Sequence, residues 1–292
     1  MSINEELHKQ NIQWFPGHMT KTRRRIETVL PLIDAVVEIV DARIPASSRN
    51  PEIAQLVEGK PLIILLNKAD MADSAATAKW ISHYKSQEIV AIPIDCKSGK
   101  GIEKFKDSVK AALSEKLEAY RAKGMVGKPL RLMVVGIPNV GKSSFINRIA
   151  GGMKAKVEDR PGVTRGNQWF SIDKELELLD TPGVLWPKFD DQIVGERLAF
   201  TGAVKDAVVD VETLACSLLS VLASDYPKLL EERYKVSPEG HEPYELLEVI
   251  GKKRGMLIKG GEIDTERAAT MILDEYRGSK LGKLTLELPT EM

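Results

Sequence analysis

The sequence predicts an α/β domain, a mostly parallel sheet flanked by helices, followed by a small all-α C-terminal domain. Three observations predict it. Short aliphatic runs alternate with helix-spaced segments along the first part of the chain. Polar or glycine-rich loops follow several of those runs directly, where an open α/β sheet gathers its ligands. Past about residue 187 the aliphatic runs stop and helical periodicity takes over. The expected division is 1–195 for the first domain and 200–292 for the second.

Residues 34–40 (Asp-Ala-Val-Val-Glu-Ile-Val), 61–66, 89–94 and 131–135 are short, aliphatic and nearly continuous in apolar character. Runs of that kind suit strands buried on both faces of a parallel sheet. Apolar residues at helical spacing lie between them, at 75–84 and 102–123. A Gly/Pro-marked joint from Lys123 to Pro129 splices the second helix to the next strand. Residues 171–180 read as part of a β-hairpin ending in Leu178-Leu179-Asp180. Helices are then expected at 211–223, 243–254 and 265–277. In the last, Ala268, Met271 and Ile272 share a face and Asp264 is the N-cap. A strand-like run returns only at 284–288.

Composition excludes several classes of function. With 42 basic and 42 acidic residues the formal net charge is zero, so attraction to nucleic acid or an anionic membrane must come from local patches. Cys96 and Cys216 are too few and too distant in sequence for a disulfide framework or a zinc site. The most apolar stretch, 62–66, is far below membrane-spanning length, and the N-terminus reads as no signal peptide. A cytoplasmic, monomeric protein without membrane contact is expected.

The loops carry the chemistry. Gly136-Ile137-Pro138-Asn139-Val140-Gly141-Lys142-Ser143, between a strand and a helix at 144–150, is a phosphate-binding loop in its required context. Its glycines let backbone N–H groups converge on phosphates, and Asn139, Val140, Gly141, Lys142, Ser143 and Ser144 line that cradle. Lys142 neutralises the β/γ oxygens, and the Ser143 hydroxyl would ligate Mg²⁺. Asn67-Lys68-Ala69-Asp70 reads as a guanine-recognition loop. The Asp70 carboxylate can accept both N1–H and the exocyclic amine of guanine, which adenine cannot offer. Lys68 would lie over the ring, and Asn67 would tie this loop to the phosphate loop. Asp95-Cys96-Lys97 follows the next strand, at the place where GTP-binding proteins usually direct a backbone N–H to the guanine carbonyl. Asp180-Thr181-Pro182-Gly183 supplies an acid for Mg²⁺ and the Gly183 N–H for the γ-phosphate, and Thr164 completes the metal shell, with Thr181 as the alternative.

In most GTP-binding proteins the phosphate loop precedes the guanine loop; here it follows. A full set of motifs in rotated order resembles the circularly permuted GTPases. Trp14-Phe15-Pro16-Gly17-His18-Met19, Asp41-Ala42-Arg43-Ile44-Pro45 and Leu185-Trp186-Pro187 extend the resemblance over nearly the whole chain. It implies a circularly permuted P-loop GTPase domain that hydrolyses GTP to GDP and phosphate with Mg²⁺. It also implies action in late assembly of the large ribosomal subunit, on a precursor of rRNA and ribosomal proteins that stimulates turnover. Asp95-Cys96 departs from the Ser-Ala usual at that loop, which opens the side-chain roles there.

Val184 stands where many GTPases carry a water-orienting glutamine. Two residues can supply the missing function. Asn139 resembles the residue that helps potassium-activated GTPases bind K⁺ beside the phosphates, stabilising charge as an arginine finger does. The histidine of the family's Pro-Gly-His segment, His18 here, is implicated in catalysis when the partner is bound. Basic runs at Lys21 and Arg23 to Arg25, and at Lys252 to Arg254 with Lys259, are candidate RNA contacts. Trp14, Trp169 and Trp186 read as packing residues. Asp180 to Val184 lead through Leu185-Trp186-Pro187 into the helical domain, a candidate route for nucleotide signalling. A GTP-gated adaptor for a non-ribosomal partner and an ATP-using kinase sharing only the phosphate loop are the competing readings, and Asp70 speaks against the second.

Overall fold

The computed structural model describes residues 17–125, 127–151, 168–183, 185 and 191–289, and for 17–22 the backbone alone. Contacts divide it into two compact units, one within 14–187 that resumes at Glu287, and one within 188–286.

The first unit is built on six strands: β1 (Ala35–Asp41), β2 (Leu62–Asn67), β3 (Val90–Pro93), β4 (Leu130–Val135), β5 (Gln168–Ser171) and β6 (Leu176–Asp180). Their order across the sheet is β3-β2-β1-β4-β6-β5, all parallel except the β5–β6 hairpin. The sequence-based strands fall in place within a residue or two, because a strand covered on both faces has no polar alternation to blur it: β1 is buried at every position. Strands run outward in one direction from β1 and in the other from β4, so the chain reverses its build between those two neighbours. That switch point is where an open parallel sheet leaves a crevice at its carboxyl edge.

Helices cover the faces. These are α1 (Gly17–Val29), α2 (Pro51–Leu56), α3 (Ser74–Ser86), α4 (Phe105–Ala112), α5 (Ser114–Ala122) and α6 (Lys142–Ile149). One apolar cluster joins Ile26 and Val29 of α1 to Val36, Met133, Val135, Leu179 and Trp169, and a second packs Trp80 and Tyr84 of α3 against Val40, Ile64 and Leu66. Trp169 is therefore a packing residue, as the sequence suggests; Trp14 and Trp186 lie outside the described residues. Asn50 caps α2, its side chain accepting from the Glu52 and Ile53 amides, with Pro51 preset at the first helical position. The single helix expected at 102–123 is instead a 3-10 turn (Ile102–Lys104) followed by α4 and α5. The break falls at Leu113, whose side chain is buried; beyond it α5 has no buried residue, so nothing holds it to α4's line.

The second unit is helical: α7 (Gln192–Phe200), α8 (Val211–Asp225), α9 (Pro227–Tyr234), α10 (Pro243–Lys253) and α11 (Thr265–Arg277). Asp264 caps α11 by accepting from the Arg267 amide, as its position predicts. Arg277 clasps both Asp206 carboxylate oxygens and donates to the Ala199 and Phe200 carbonyls. The run at 284–288 is no strand. Leu284 and Leu286 are buried while Leu288 is exposed, and Tyr226 does the work of a ladder partner: its hydroxyl donates to the Thr285 carbonyl and accepts from the Thr285 amide. No helix among the described residues is long and apolar enough to cross a membrane.

Candidate functional site

The motifs of the first unit converge at the carboxyl edge of the sheet. β1 ends in Asp41, β2 in Asn67 and β6 in Asp180, β4 runs on into Gly136, and Asp95 follows just after β3. Parallel register does the gathering: Asp41 lies opposite Asn67, and Val134 opposite Asp180.

The phosphate loop demands its glycines. Gly136 has φ +151°, and a Cβ there would sit 2.6 Å from the Ile39 carbonyl of β1. Gly141 has φ +104°, and its Cβ would lie 2.2 Å from Asn67 Nδ2. Asn139 also takes a left-handed φ of 58° and is exposed on the loop. α6 starts directly behind, with Ser143 and Ser144 exposed in its first turn. Lys142 Nζ donates to the Gly136 and Ile137 carbonyls at 2.9 and 2.8 Å, which holds its charge inside the loop. Burial pushes the Lys142 ammonium down to about 8, with the Asp180 charge opposing that shift.

Asn67 is the hub. Its Nδ2 donates to the Val140 carbonyl at 2.7 Å, and its Oδ1 accepts from the Cys96 amide at 3.1 Å. One side chain thus pins the guanine loop to both the phosphate loop and the Asp95-Cys96-Lys97 loop. The Ala69 amide adds a bond to the Ile94 carbonyl, while Asp70 stands exposed at the loop's end.

The altered Asp95-Cys96 pair has a structural account. Asp95 accepts from the Lys97 and Ser98 amides at 2.7 and 3.1 Å, closing its own loop. Burial raises this carboxyl, but those hydrogen bonds outweigh it and the net shift is downward. Cys96 is buried, and burial pushes its thiol up to about 12, so it is inert packing. Arg148 of α6 donates to the Lys97 carbonyl, a clamp the sequence did not signal.

Asp180 tests the site for a divalent cation. Its Oδ1 is buried with no hydrogen-bond partner among the described residues, and burial raises the carboxyl against the pull of Lys142. An orphaned buried carboxylate oxygen beside a phosphate loop fits a hard cation, which takes oxygen donors and satisfies that charge. Thr181 is otherwise engaged: its hydroxyl donates to the Val134 carbonyl at 2.7 Å. Gly183 lies so close to the loop that a Cβ would be 2.4 Å from Lys142 Nζ and 3.1 Å from the Pro138 nitrogen. His18 is in α1 with its side chain outside the described residues, and Thr164 and Val184 lie outside them altogether.

Sequence reading used Asp41 and Arg43 only as carriers of the resemblance and gave them no role. Both are buried, with Arg43 Nε and Nη2 on the two Asp41 oxygens at 2.9 and 2.8 Å. An acid and a base two residues apart at the end of an apolar strand were the available signal.

Comparison with known proteins places these features. A family model described as 50S ribosome-binding GTPase matches residues 131–251, beginning at β4, so that the loop at Asn67 lies ahead of it. The chain is 50% identical over 282 residues to Ribosome biogenesis GTPase A of Priestia megaterium, covering 96% of this chain and 98% of that protein. It is 48% identical over 280 residues to Ribosome biogenesis GTPase A of Bacillus cereus, covering 96% and 95%. Among solved structures, GNP-bound YlqF from T. maritima matches with a TM-score of 0.63 at 27% identity, over 93% of this chain and 100% of that one.

Proposed function

This chain belongs to the ribosome biogenesis GTPase A family, a circularly permuted GTPase that acts in ribosome biogenesis, and from that premise we propose that it hydrolyses GTP on a precursor of the large ribosomal subunit. Likeness across 96% of the chain, helical unit included, carries this reading, together with a matching family described by its 50S binding. Turnover is slow alone and stimulated by the particle, and the protein leaves after hydrolysis. It works in the cytoplasm as a monomer, with the first unit as the GTPase domain and the second as the helical domain.

The division of labour follows from chemistry and position. Asp70, exposed at the end of the guanine loop, pairs with the N1–H and exocyclic amine of guanine, while Lys68 covers the ring and the Cys96 and Lys97 backbone meets its carbonyl. Asn67 holds these loops against the phosphate loop. The loop amides and the Lys142 ammonium receive the phosphates, and the Gly183 N–H answers the γ-phosphate. Ser143, Asp180 and Thr164 would hold Mg²⁺, which when bound neutralises phosphate charge.

Val184 offers nothing to orient water, so two other groups complete the site. Asn139, exposed on the phosphate loop, carries an amide oxygen, donor chemistry suited to K⁺. His18 orients the attacking water when the ribosomal precursor is bound. Arg23 and Arg24, both exposed, the half-buried Arg25, and the exposed run Lys252 to Arg254 with Lys259 meet rRNA phosphates.

The test is GTP turnover with and without purified large-subunit precursors, in K⁺ and in Na⁺. Stimulation by the particle, greater in K⁺, is expected; His18→Ala removes it while GDP affinity holds. Equal turnover with and without particles, paired with no co-sedimentation, overturns the proposal and favours a GTP-gated adaptor for a non-ribosomal partner.

A further inference from the structure

The guanine loop's lysine is held by a residue outside the loop. Lys68 Nζ donates to Asp41 Oδ2 at 2.9 Å. The same carboxylate is gripped by Arg43 through Nε, Nη2 and the backbone N–H, at 2.9, 2.8 and 3.0 Å. Asp41 and Arg43 are each 1% exposed, whereas the Lys68 side chain is 23% exposed. Two members of the triad are therefore fixed inside the protein and the third reaches from them to the surface.

The anchoring continues behind Asp41. Its amide donates to Ser48 Oγ at 3.0 Å, and Ser48 Oγ donates to the Ile44 carbonyl at 2.7 Å. Glu287 closes the same turn, accepting from the Ala46 amide at 2.6 Å and from the Ser47 amide and hydroxyl. Burial would raise the Asp41 carboxyl, but the Arg43 and Lys68 charges outweigh it and hold it well below the usual carboxylate range, so the anchor stays ionised. Lys68 itself takes a φ of +60°, a backbone geometry lysine adopts seldom and which aims this side chain.

A free lysine side chain is among the most mobile, and ordering it on binding is costly. We propose that Asp41, oriented by Arg43, is a positioning residue for guanine recognition: it tethers the Lys68 ammonium so that the stem already stands where the base will lie. The proposal rests on the reading that Lys68 covers the guanine ring. A plain ion pair between the ends of β1 and β2 would instead support the fold and leave affinity alone.

Titration with fluorescent GDP on the full-length protein separates these cases. Lys68→Ala tests the underlying reading and is expected to weaken GDP clearly. Lys68→Met keeps the stem and drops the tethered ammonium, leaving Asp41 still paired with Arg43. It is expected to weaken GDP by roughly three- to tenfold. Asp41→Asn weakens it to the same degree and adds nothing in the Lys68→Met background. Its GDP-to-IDP preference also holds, because the ring face is affected and not the edge that Asp70 reads. Should Asp41→Asn fail to fold, Lys68→Met carries the decision. The tether is overturned if Lys68→Ala weakens binding while Lys68→Met and Asp41→Asn bind like the parent. GDP binding by Lys68→Ala at parental strength overturns the ring-cover reading, and the tether with it.

Discussion

Replacing Asn67 with alanine tests whether one side chain assembles the nucleotide site. Asn67 is 3% exposed and satisfies two buried backbone groups, the Val140 carbonyl and the Cys96 amide. Val140 and Cys96 are themselves buried, at 1% and 7% exposure, so water replaces the lost partner poorly. A buried polar group left unpaired costs about 1–3 kcal/mol, and the loops' position at the sheet edge favours the lower half of that range. Two such groups give a loss of about 2–4 kcal/mol. The four tryptophans, Trp14, Trp80, Trp169 and Trp186, all fall within the first unit's span, so tryptophan fluorescence in a urea titration reads that unit. GDP affinity should fall with stability, because the phosphate and base loops lose their shared pin. Asn67→Asp should be at least as damaging, since it sets an acceptor against the Val140 carbonyl. A loss under about 1 kcal/mol with GDP affinity unchanged would refute the hub.

Three further outcomes follow from the same edge of the sheet. Nucleotide affinity should be flat below about pH 8 and fall by up to about tenfold per pH unit above it, as Lys142 begins to require a proton on binding, while fold stability rises because the unfolded chain then holds the extra proton. Binding isotherms with no slope across that window would count against it. Gly141→Ala forces a Cβ to 2.2 Å from Asn67 Nδ2 at φ +104°, so it should cost at least about 2 kcal/mol and abolish tight GDP binding in the same urea and titration assays. Thr181→Val removes only the bond to the Val134 carbonyl, so a stability loss of about 1 kcal/mol with kcat nearly unchanged is expected; a collapse of kcat would make Thr181, not Thr164, the metal-shell threonine.

What the sequence disclosed and what it withheld divide along physical lines. β1, β2 and β4 were readable because strands buried on both faces are written as nearly continuous aliphatic runs. The phosphate loop was readable because phosphate geometry permits few residues where backbone must come within van der Waals contact. Helices α2, α7 and α9 went unread: each is under ten residues, too short for periodicity to register, although Asn50-Pro51, Asp191 and Tyr226-Pro227 marked their starts. The strand-like run at 284–288 misled because alternating apolar residues imply a covered segment without naming its partner, here the Tyr226 hydroxyl. The Asp41–Arg43–Lys68 triad depends on register between β1 and β2, which no local pattern encodes.

The strand order has a consequence for synthesis. β1 to β3 leave the ribosome before β4, yet β1 needs β4 to complete its far edge. A translating chain therefore holds a three-stranded slab with one greasy, hydrogen-bond-hungry margin while α4 and α5 are still being made, at about 5–20 residues per second. Arrest anywhere in that interval would leave a sticky fragment that cannot grip a phosphate. The arrival of β4 covers that margin and delivers the phosphate loop, and β6, made later, covers the far side of β4 and brings Asp180 to the same edge, so closing the sheet and completing the site advance together.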